Sequence, residues 1–335
     1  MEAFLDLSLN DRRLLCENAR AALGLAAASI EKDFWVCWTL RELFGLPEWG
    51  QHLTFKGGTS LSKGWKLIER FSEDLDVVID RDFLGFPGER LSRGQLEKLK
   101  DASSRRAMND LLPAFRKHLA KHLREGDGWK LEAAGAEDDP DLQTLLFRYP
   151  TVFADTARYA KPVVKIELGA RSETEPVELP EMQPFLAEAF PKSFGKSTFR
   201  VRTVAARRTF WEKAMLLHEE AYRPAGKPRK ARLSRHYYDL WCLITKGVAA
   251  EAVRDKGLFE RVASHRRMFF RHSWMDYATL SKGRLRVTPL QEQEAAWRQD
   301  YAAMRGEMFF RDPPSFDAVL ETVAKFESEF NQPST

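Results

Sequence analysis

The chain has 335 residues, enough for one large domain or two smaller ones with a substantial apolar core. Hydrophobic residues make up 44% and charged residues 30%, which is typical of folded globular proteins and excludes disordered and fibrous classes. The formal net charge of +4 is too small to indicate nucleic-acid binding by itself, although clustered basic residues could still provide it.

The cysteines indicate neither a disulfide framework nor a zinc cluster. Cys16, Cys37 and Cys242 are odd in number, far apart and surrounded by apolar neighbours, so we predict that they are small core residues. The N-terminal residues are acidic and interrupted, unlike a signal peptide, and no run of about 18 apolar residues predicts a membrane span. We therefore expect no membrane partner and a cytoplasmic location.

The predicted elements begin with helices, continue with strands and end with helices. Predicted helices occupy residues 9–45 (two helices, the first capped by Ser8 or Asn10), 59–68, 94–125 and most of the chain beyond Val201. Predicted strands occupy residues 53–56, 75–79, 143–153 and 161–168. An acidic, glycine-containing stretch at residues 126–140 predicts a surface loop.

A proline-rich stretch separates the strands from the carboxy-terminal helices. Four prolines lie within residues 171–198, and we place the domain transition there. The sequence thus predicts an α+β domain with N-terminal helices over residues 1–198 and a helical lobe over 199–335.

Residues 55–79 contain the combination of residues that best indicates chemistry. A predicted strand runs into Gly57 and Gly58, where backbone N–H groups can approach a phosphate because no side chain intervenes. Thr59 begins the helix that follows, whose unpaired N–H groups favour the same anion. Ser60 offers a hydroxyl donor and Lys63 a positive charge, so we predict a nucleotide-binding loop.

Two carboxylates follow about one helix later. Asp74 and Asp76 are spaced i and i+2 at the start of an apolar strand, so both side chains face one side of it. Two negative charges at such a short distance repel each other unless a cation lies between them, and Mg²⁺ prefers carboxylate oxygens as ligands. We predict that both aspartates bind a catalytic Mg²⁺ that bridges to nucleotide phosphates.

Several strings of this sequence resemble one protein family. They are F-K-G-G-T-S-L-S-K, R-F-S-E-D-L-D, I-E-K-D-F-W-V, W-E-K-A-M-L-L-H and R-H-Y-Y-D-L. Together they resemble the AbiEii/AbiGii toxin family, which includes the MenT toxins, within the DNA polymerase β-like nucleotidyltransferase superfamily. The resemblance runs from about Glu31 to Leu240 and implies a polymerase β-like core with a mixed sheet.

The resemblance implies further site residues. Lys213 matches a helical lysine that binds nucleotide phosphates. Asp239, in an Arg-x-x-x-Asp helix with Arg235, matches an aspartate that supports the site by orienting that lysine or the attacking group; a plain i, i+4 salt bridge is the alternative reading. Glu167 matches the third carboxylate of polymerase β-like enzymes, a base or metal ligand, although an exposed strand glutamate would look the same.

Two basic segments are candidates for binding the acceptor. Residues 223–235 contain six basic residues and no acid, including Arg229, Lys230 and Arg232, as expected of a segment that contacts RNA phosphates. Residues 264–272, with Arg266 and Arg267, interleave basic and aromatic side chains, as single-stranded RNA sites do. Solvated loop or helix faces remain the alternative for both segments.

The resemblance implies a toxin of a toxin–antitoxin system that uses NTP and Mg²⁺ to add nucleotides to the 3′ end of tRNA, inhibiting translation. Its implied partner is a winged-helix antitoxin encoded alongside, which need not bind the toxin. A transferase acting on a protein hydroxyl or a small molecule is the alternative within the enzyme class. A non-catalytic binding module on the same scaffold is the alternative outside it.

Overall fold

The computed structural model describes residues 1–88, 91–154, 161–194, 197–305 and 308–333. These residues form two compact units. One unit comprises Met1–Gly64 and Ser72–Val204, and the other comprises Trp65–Phe71 and Ala205–Thr335. The domain limits of 1–198 and 199–335 stay a prediction, and the early segment Trp65–Phe71 groups with the helical unit.

The first unit is built around a mixed β-sheet. Its strands are β1 Leu53–Lys56, β2 Leu75–Ile79, β3 Lys130–Ala133, β4 Thr144–Arg148, β5 Val163–Gly169, β6 Val177–Glu178 and β9 Thr203–Val204, and a separate pair is formed by β7 Glu181–Met182 and β8 Phe199–Arg200. In the described residues the sheet order is β3-β4-β5-β2-β1-β9-β6. Strand β2 runs parallel to β5 and antiparallel to β1, so the predicted α+β class with a mixed sheet is confirmed.

Helices cover the sheet of the first unit. They are α1 Glu2–Leu5, α2 Leu9–Leu23, α3 Ala27–Phe44, α4 Gly57–Thr59, α5 Arg93–Arg106, α6 Leu112–Leu119, α7 Phe185–Ala189 and α8 Pro191–Phe194. Ser8 caps α2 by accepting a hydrogen bond from the backbone N–H of Asp11, which satisfies an otherwise unpaired donor. Trp35 of α3 is fully buried and packs against Trp38, Phe147 and Tyr149, so α3 is held against β4 and the chain that follows it.

The second unit is helical. Its helices are α9 Ala206–Ala221, α10 Arg235–Thr245, α11 Val248–Arg254, α12 Leu258–Phe269, α13 Gln291–Arg305 and α14 Phe316–Asn331. Trp211 of α9 is fully buried and contacts the rings of Phe259, Phe326 and Phe330, so α9 packs against α12 and α14. None of the described helices is both long and apolar enough to cross a membrane. The three cysteines are unpaired and buried, as predicted.

Two local predictions were wrong. The helix predicted over 59–68 stops at Gly64, after one π-helical turn, Ser60–Gly64. A side chain at Gly64 would lie 3.0 Å from Met182 Cε, and the chain then turns through Lys66 at a φ of 52°. The loop predicted at 126–140 contains β3, which pairs with β4 at the edge of the sheet formed by the described residues.

Candidate active site

The predicted carboxylates lie on and beside the central strand β2. Leu75, Val77 and Ile79 are buried and fix the strand in the core. Asp76 is in register with Glu167 of β5 and with Lys56 of β1. Residues in register on neighbouring strands share a face of the sheet, so these three polar side chains form a row across one face. Asp74 lies just before β2, two residues from Asp76.

Gly57 leaves the space that the Asp76 carboxylate occupies. An ideal Cβ at Gly57 would lie 1.8 Å from Oδ2 of Asp76, and Gly57 has a φ of +82°. Both facts exclude an unstrained side chain at this position. The glycine predicted from the sequence thus brings the backbone of the loop directly against a predicted metal ligand.

The Thr59 and Ser60 hydroxyls hold the loop in place. Thr59 Oγ1 donates to the backbone oxygen of Asp74 at 2.6 Å and lies 2.9 Å from Ser72 Oγ. Ser60 Oγ donates to the backbone oxygen of Gly57 at 2.8 Å. Both residues are buried. The Thr59 hydroxyl therefore links the glycine loop to Asp74, whereas the Ser60 hydroxyl bonds within the loop. The role of Ser60 as a donor to phosphate stays a prediction.

The charges around Asp74 suit a divalent cation. Desolvation by the surrounding protein raises the pKa of Asp74, and repulsion from Glu167 and Glu73 raises it further, while Lys165 and Lys32 oppose the shift. Lys165 forms an ion pair with Glu167. A bound cation would relieve this repulsion, and carboxylate oxygens are ligands that Mg²⁺ prefers. The donors present therefore fit a Mg²⁺ held by Asp74 and Asp76.

Lys63 forms a buried ion pair inside the first unit. Its Nζ lies 2.6 Å from Oδ1 of Asp33 and 3.6 Å from the ring centroid of Phe185, and both Lys63 and Asp33 are buried. Asp33 also accepts a hydrogen bond from the backbone N–H of Phe185 at 2.7 Å. This contact gives Lys63 a structural partner that the sequence did not reveal, and a role for Lys63 toward a nucleotide stays a prediction.

Lys213 and Asp239 meet in the second unit. Lys213 Nζ lies 2.8 Å from Oδ2 of Asp239, and Arg70 donates two hydrogen bonds to the same carboxylate, at 2.7 and 2.8 Å. All three residues are buried. Arg70 was missed in the sequence because nothing in its local pattern distinguishes it from a solvated arginine. Asp239 thus joins two cations from segments far apart in the chain.

The environment shifts the pKa values of Asp239, Lys213 and the neighbouring His236. Burial favours the neutral form of Asp239, but Arg70 and Lys213 outweigh it and hold the pKa of Asp239 below its usual range. Burial lowers the pKa of Lys213, and repulsion by Arg70 adds to the effect, against the attraction of Asp239. His236 Nδ1 lies 3.4 Å from Lys213 Nζ, and burial with repulsion by Lys213 keeps the pKa of His236 well below its usual value.

The residues predicted to bind RNA differ in exposure. Lys230, Arg232 and Arg267 are exposed. Arg229 lies over the ring of Trp297, 4.6 Å from its centroid, and contacts Glu220 at 3.4 Å. Arg266 is buried and paired with Glu219 through two hydrogen bonds, so its charge is neutralised inside the unit. Arg266 therefore adds nothing to an exposed basic surface.

The two basic segments meet at Trp274. Lys227 Nζ lies 4.2 Å, and the Arg223 guanidinium 5.0 Å, from the centroid of the Trp274 ring. His272 stacks on the same ring with a centroid separation of 4.4 Å and an interplanar angle of 13°. Cations and stacked rings thus surround one tryptophan at a place where neither segment alone predicts a site.

Comparison with known proteins identifies the family. Residues 38–322 match the family described as nucleotidyl transferase AbiEii toxin, Type IV TA system, and the chain belongs to this family. It is therefore a nucleotidyltransferase toxin of a toxin–antitoxin system, for which the family implies an NTP substrate and an antitoxin. The chain is similar to MenT4, a nucleotidyltransferase toxin from Mycobacterium tuberculosis, at 18% identity over 88% of this chain and 99% of that one, with a TM-score of 0.33. A search of curated proteins found no match.

Proposed function

We propose that this enzyme transfers a nucleoside monophosphate from NTP to an RNA acceptor, the 3′-hydroxyl of tRNA, with release of pyrophosphate, and thereby inhibits translation. The observation that carries the proposal is the approach of Gly57 to Asp76, where an added Cβ would lie 1.8 Å from the carboxylate. A loop that brings bare backbone against a metal-binding carboxylate lets phosphate oxygens reach both.

The predicted carboxylates, glycines and lysine on the phosphates have separate roles in this proposal. Asp74 and Asp76 hold Mg²⁺, which when bound neutralises charge on the reacting phosphates. The backbone of Gly57 and Gly58 contacts the triphosphate, and Glu167 receives the proton of the attacking hydroxyl or completes the ligand set. Lys213 binds nucleotide phosphates. Asp239 orients Lys213, which its 2.8 Å contact supports.

The arrangement around Trp274 supports an RNA acceptor. Positive charge attracts the phosphates without reading sequence, and aromatic side chains interleaved with basic ones are typical of single-stranded RNA sites. Lys227, Lys230 and Arg232 are exposed in the same basic segment. An exposed basic surface of this kind suits the phosphates of the single-stranded end of tRNA.

Incubation of the purified protein with total tRNA, Mg²⁺ and each α-labelled NTP tests the proposal, with Asp76→Asn as the inactive control. We expect label in tRNA with the wild type alone. Label in protein would move the acceptor to a polypeptide hydroxyl, and label in neither would indicate a small molecule or a non-catalytic module. Expression of the active enzyme should stop the growth of the host cells, and co-expression of the winged-helix antitoxin predicted to be encoded alongside should restore it.

Gly57→Ala should separate the geometry of the site from backbone strain. Gly85 is the matched control, because its φ of +84° resembles the +82° of Gly57 but an added Cβ would have no atom within 4 Å. We expect both variants to lose roughly 1–3 kcal/mol of unfolding free energy from strain. Only Gly57→Ala should lose nucleotidyl transfer, because its new methyl group displaces the Asp76 carboxylate. Equal activity of the two variants would remove Gly57 from the site.

Charge reversal at Lys227 and Lys230 should weaken RNA binding while sparing NTP use. The slope of log affinity for tRNA against log salt should fall by about 1.4, since each contact to a single-stranded phosphate contributes about 0.7. Lys256→Glu with Lys325→Glu changes the net charge equally on exposed residues outside this segment and serves as the control. If both pairs change the slope alike, the effect is one of overall charge and not of this surface.

A further inference from the structure

Two histidines and a glutamate of the first unit form a cluster outside the proposed active site. His118 lies in the last turn of α6, and His122 lies four residues later, in the turn that prolongs it. Side chains spaced i and i+4 on a helical turn lie side by side. Glu42 approaches them from the last turn of α3. One nitrogen atom of each imidazole and one oxygen of the carboxylate all lie within 4.8 Å of one another.

The distances suit a small cation. His118 Nε2 lies 2.8 Å, and His122 Nε2 3.5 Å, from the same oxygen of Glu42, Oε2. In a tetrahedral zinc site with bonds of about 2.0 Å, neighbouring ligand atoms lie about 3.3 Å apart. Small side-chain rotations therefore bring all three atoms to bonding distance. The His122 side chain is 34% exposed, which leaves a path for an ion and room for a water ligand.

The second oxygen of Glu42 is fixed by a neighbouring arginine. Arg41 donates to Glu42 Oε1 at 2.9 and 2.6 Å and to Glu2 Oε1 at 2.7 Å. Arg41 thereby orients the carboxylate of Glu42, and the other oxygen, Oε2, faces the histidines. A ligand held by such an outer contact needs less ordering when an ion binds.

The helices themselves favour positive charge at this place. Glu42 lies in the last turn of the 18-residue α3, and His118 lies in the last turn of α6. The carboxy-terminal end of a helix carries a partial negative charge, which is felt within the last turn. His122 packs edge-on against the buried Trp38, with 6.4 Å between the ring centroids, which limits its freedom.

We propose that Glu42, His118 and His122 form a binding site for a transition-metal ion of the zinc type. Imidazole nitrogens select zinc, nickel, cobalt or copper over magnesium, so this site and the carboxylates at Asp74 and Asp76 would take different ions. The two histidines have the spacing of the hydrolytic His-Glu-x-x-His motif, but Leu119 stands at the position where that motif has its glutamate base. The site therefore lacks the base of such hydrolytic sites, and a bound ion would join the end of α3 to the end of α6.

Zinc binding to the tag-free protein, first freed of metal by a chelator, tests this proposal. Competition with a chromophoric chelator in millimolar Mg²⁺ should show one tight zinc equivalent in the wild type and in Asp76→Asn. His122→Ala and His118→Ala should each weaken binding by at least about 10-fold, since even outer-shell partners of a metal site are worth about 10–100-fold. Cobalt(II) should give the intense visible bands of four-coordination only when both histidines are present.

The controls separate loss of the site from loss of the fold. His272→Ala is matched, because His272 also lies beside a glutamate, 3.6 Å from Glu219 Oε2, and it should bind zinc like the wild type. Each variant should still unfold cooperatively in chelator. Added zinc should raise the Tm of the wild type, Asp76→Asn and His272→Ala, and leave the Tm of His118→Ala and His122→Ala unchanged. The proposal is overturned if the wild type binds zinc no more tightly than the variant lacking both His118 and His122. These readouts do not depend on nucleotidyl transfer.

Discussion

Asp76→Asn should lower kcat/KM for nucleotidyl transfer by about 1,000-fold. The substitution keeps the shape of the side chain but removes a charge from the row that Asp76 forms with Lys56 and Glu167. A metal ion contributes several kcal/mol to the transition state of phosphoryl chemistry, and each 1.4 kcal/mol is worth about tenfold in rate. Steady-state transfer of labelled nucleotide at varied Mg²⁺ measures the loss.

An aspartate just beyond the other end of β2 provides the control for that variant. Asp80 follows the other end of β2 and accepts a hydrogen bond from the backbone N–H of Asp82 at 3.0 Å, which an asparagine can also accept. Asp80→Asn should keep full activity. Both variants should unfold like the wild type. Full turnover by Asp76→Asn would show that the divalent ion is held elsewhere.

Much of the first unit could be predicted because the signals are local. The apolar residues of β2 directly follow or alternate with Asp74 and Asp76, and the glycines directly follow β1. The strand spacing of two places Asp74 and Asp76 together without knowledge of the rest of the chain. Register with β5 then adds Glu167, which the sequence alone could not distinguish from an exposed strand residue.

Buried charges could not be predicted, because their partners are distant in sequence. Arg266 and Glu219 are 47 residues apart, and Arg70 and Asp239 are 169 residues apart. A charged residue within a basic or amphipathic segment looks solvated until its partner is known. Composition thus placed Arg266 on an RNA-binding surface, whereas a desolvated ion pair explains it.

The two cations that contact Asp239, Arg70 and Lys213, bind it unequally, and this difference leads to a prediction. Arg70 offers two hydrogen bonds to the carboxylate and Lys213 one ion-pair contact. Burial and the nearby guanidinium already disfavour the charged form of Lys213, as its lowered pKa shows. Arg70 alone could therefore neutralise the Asp239 carboxylate. Burying the charged form of Lys213 beside Arg70 is unfavourable, and a role of Lys213 in binding phosphates would explain why it is there.

Asp239→Asn should lower the free energy of unfolding by about 3–5 kcal/mol, because it leaves two buried cations without a counter-charge. Lys213→Met should change stability by less than about 1 kcal/mol, since Asp239 keeps Arg70, yet it should strongly weaken NTP use. The double variant should be more stable than Asp239→Asn alone, because one of the two unpaired cations is gone. Urea unfolding and NTP-dependent labelling of the same preparations measure both effects. If Lys213→Met destabilises the protein as much as Asp239→Asn, the lysine is a structural partner of the aspartate and its proposed contact with nucleotide phosphates loses its support.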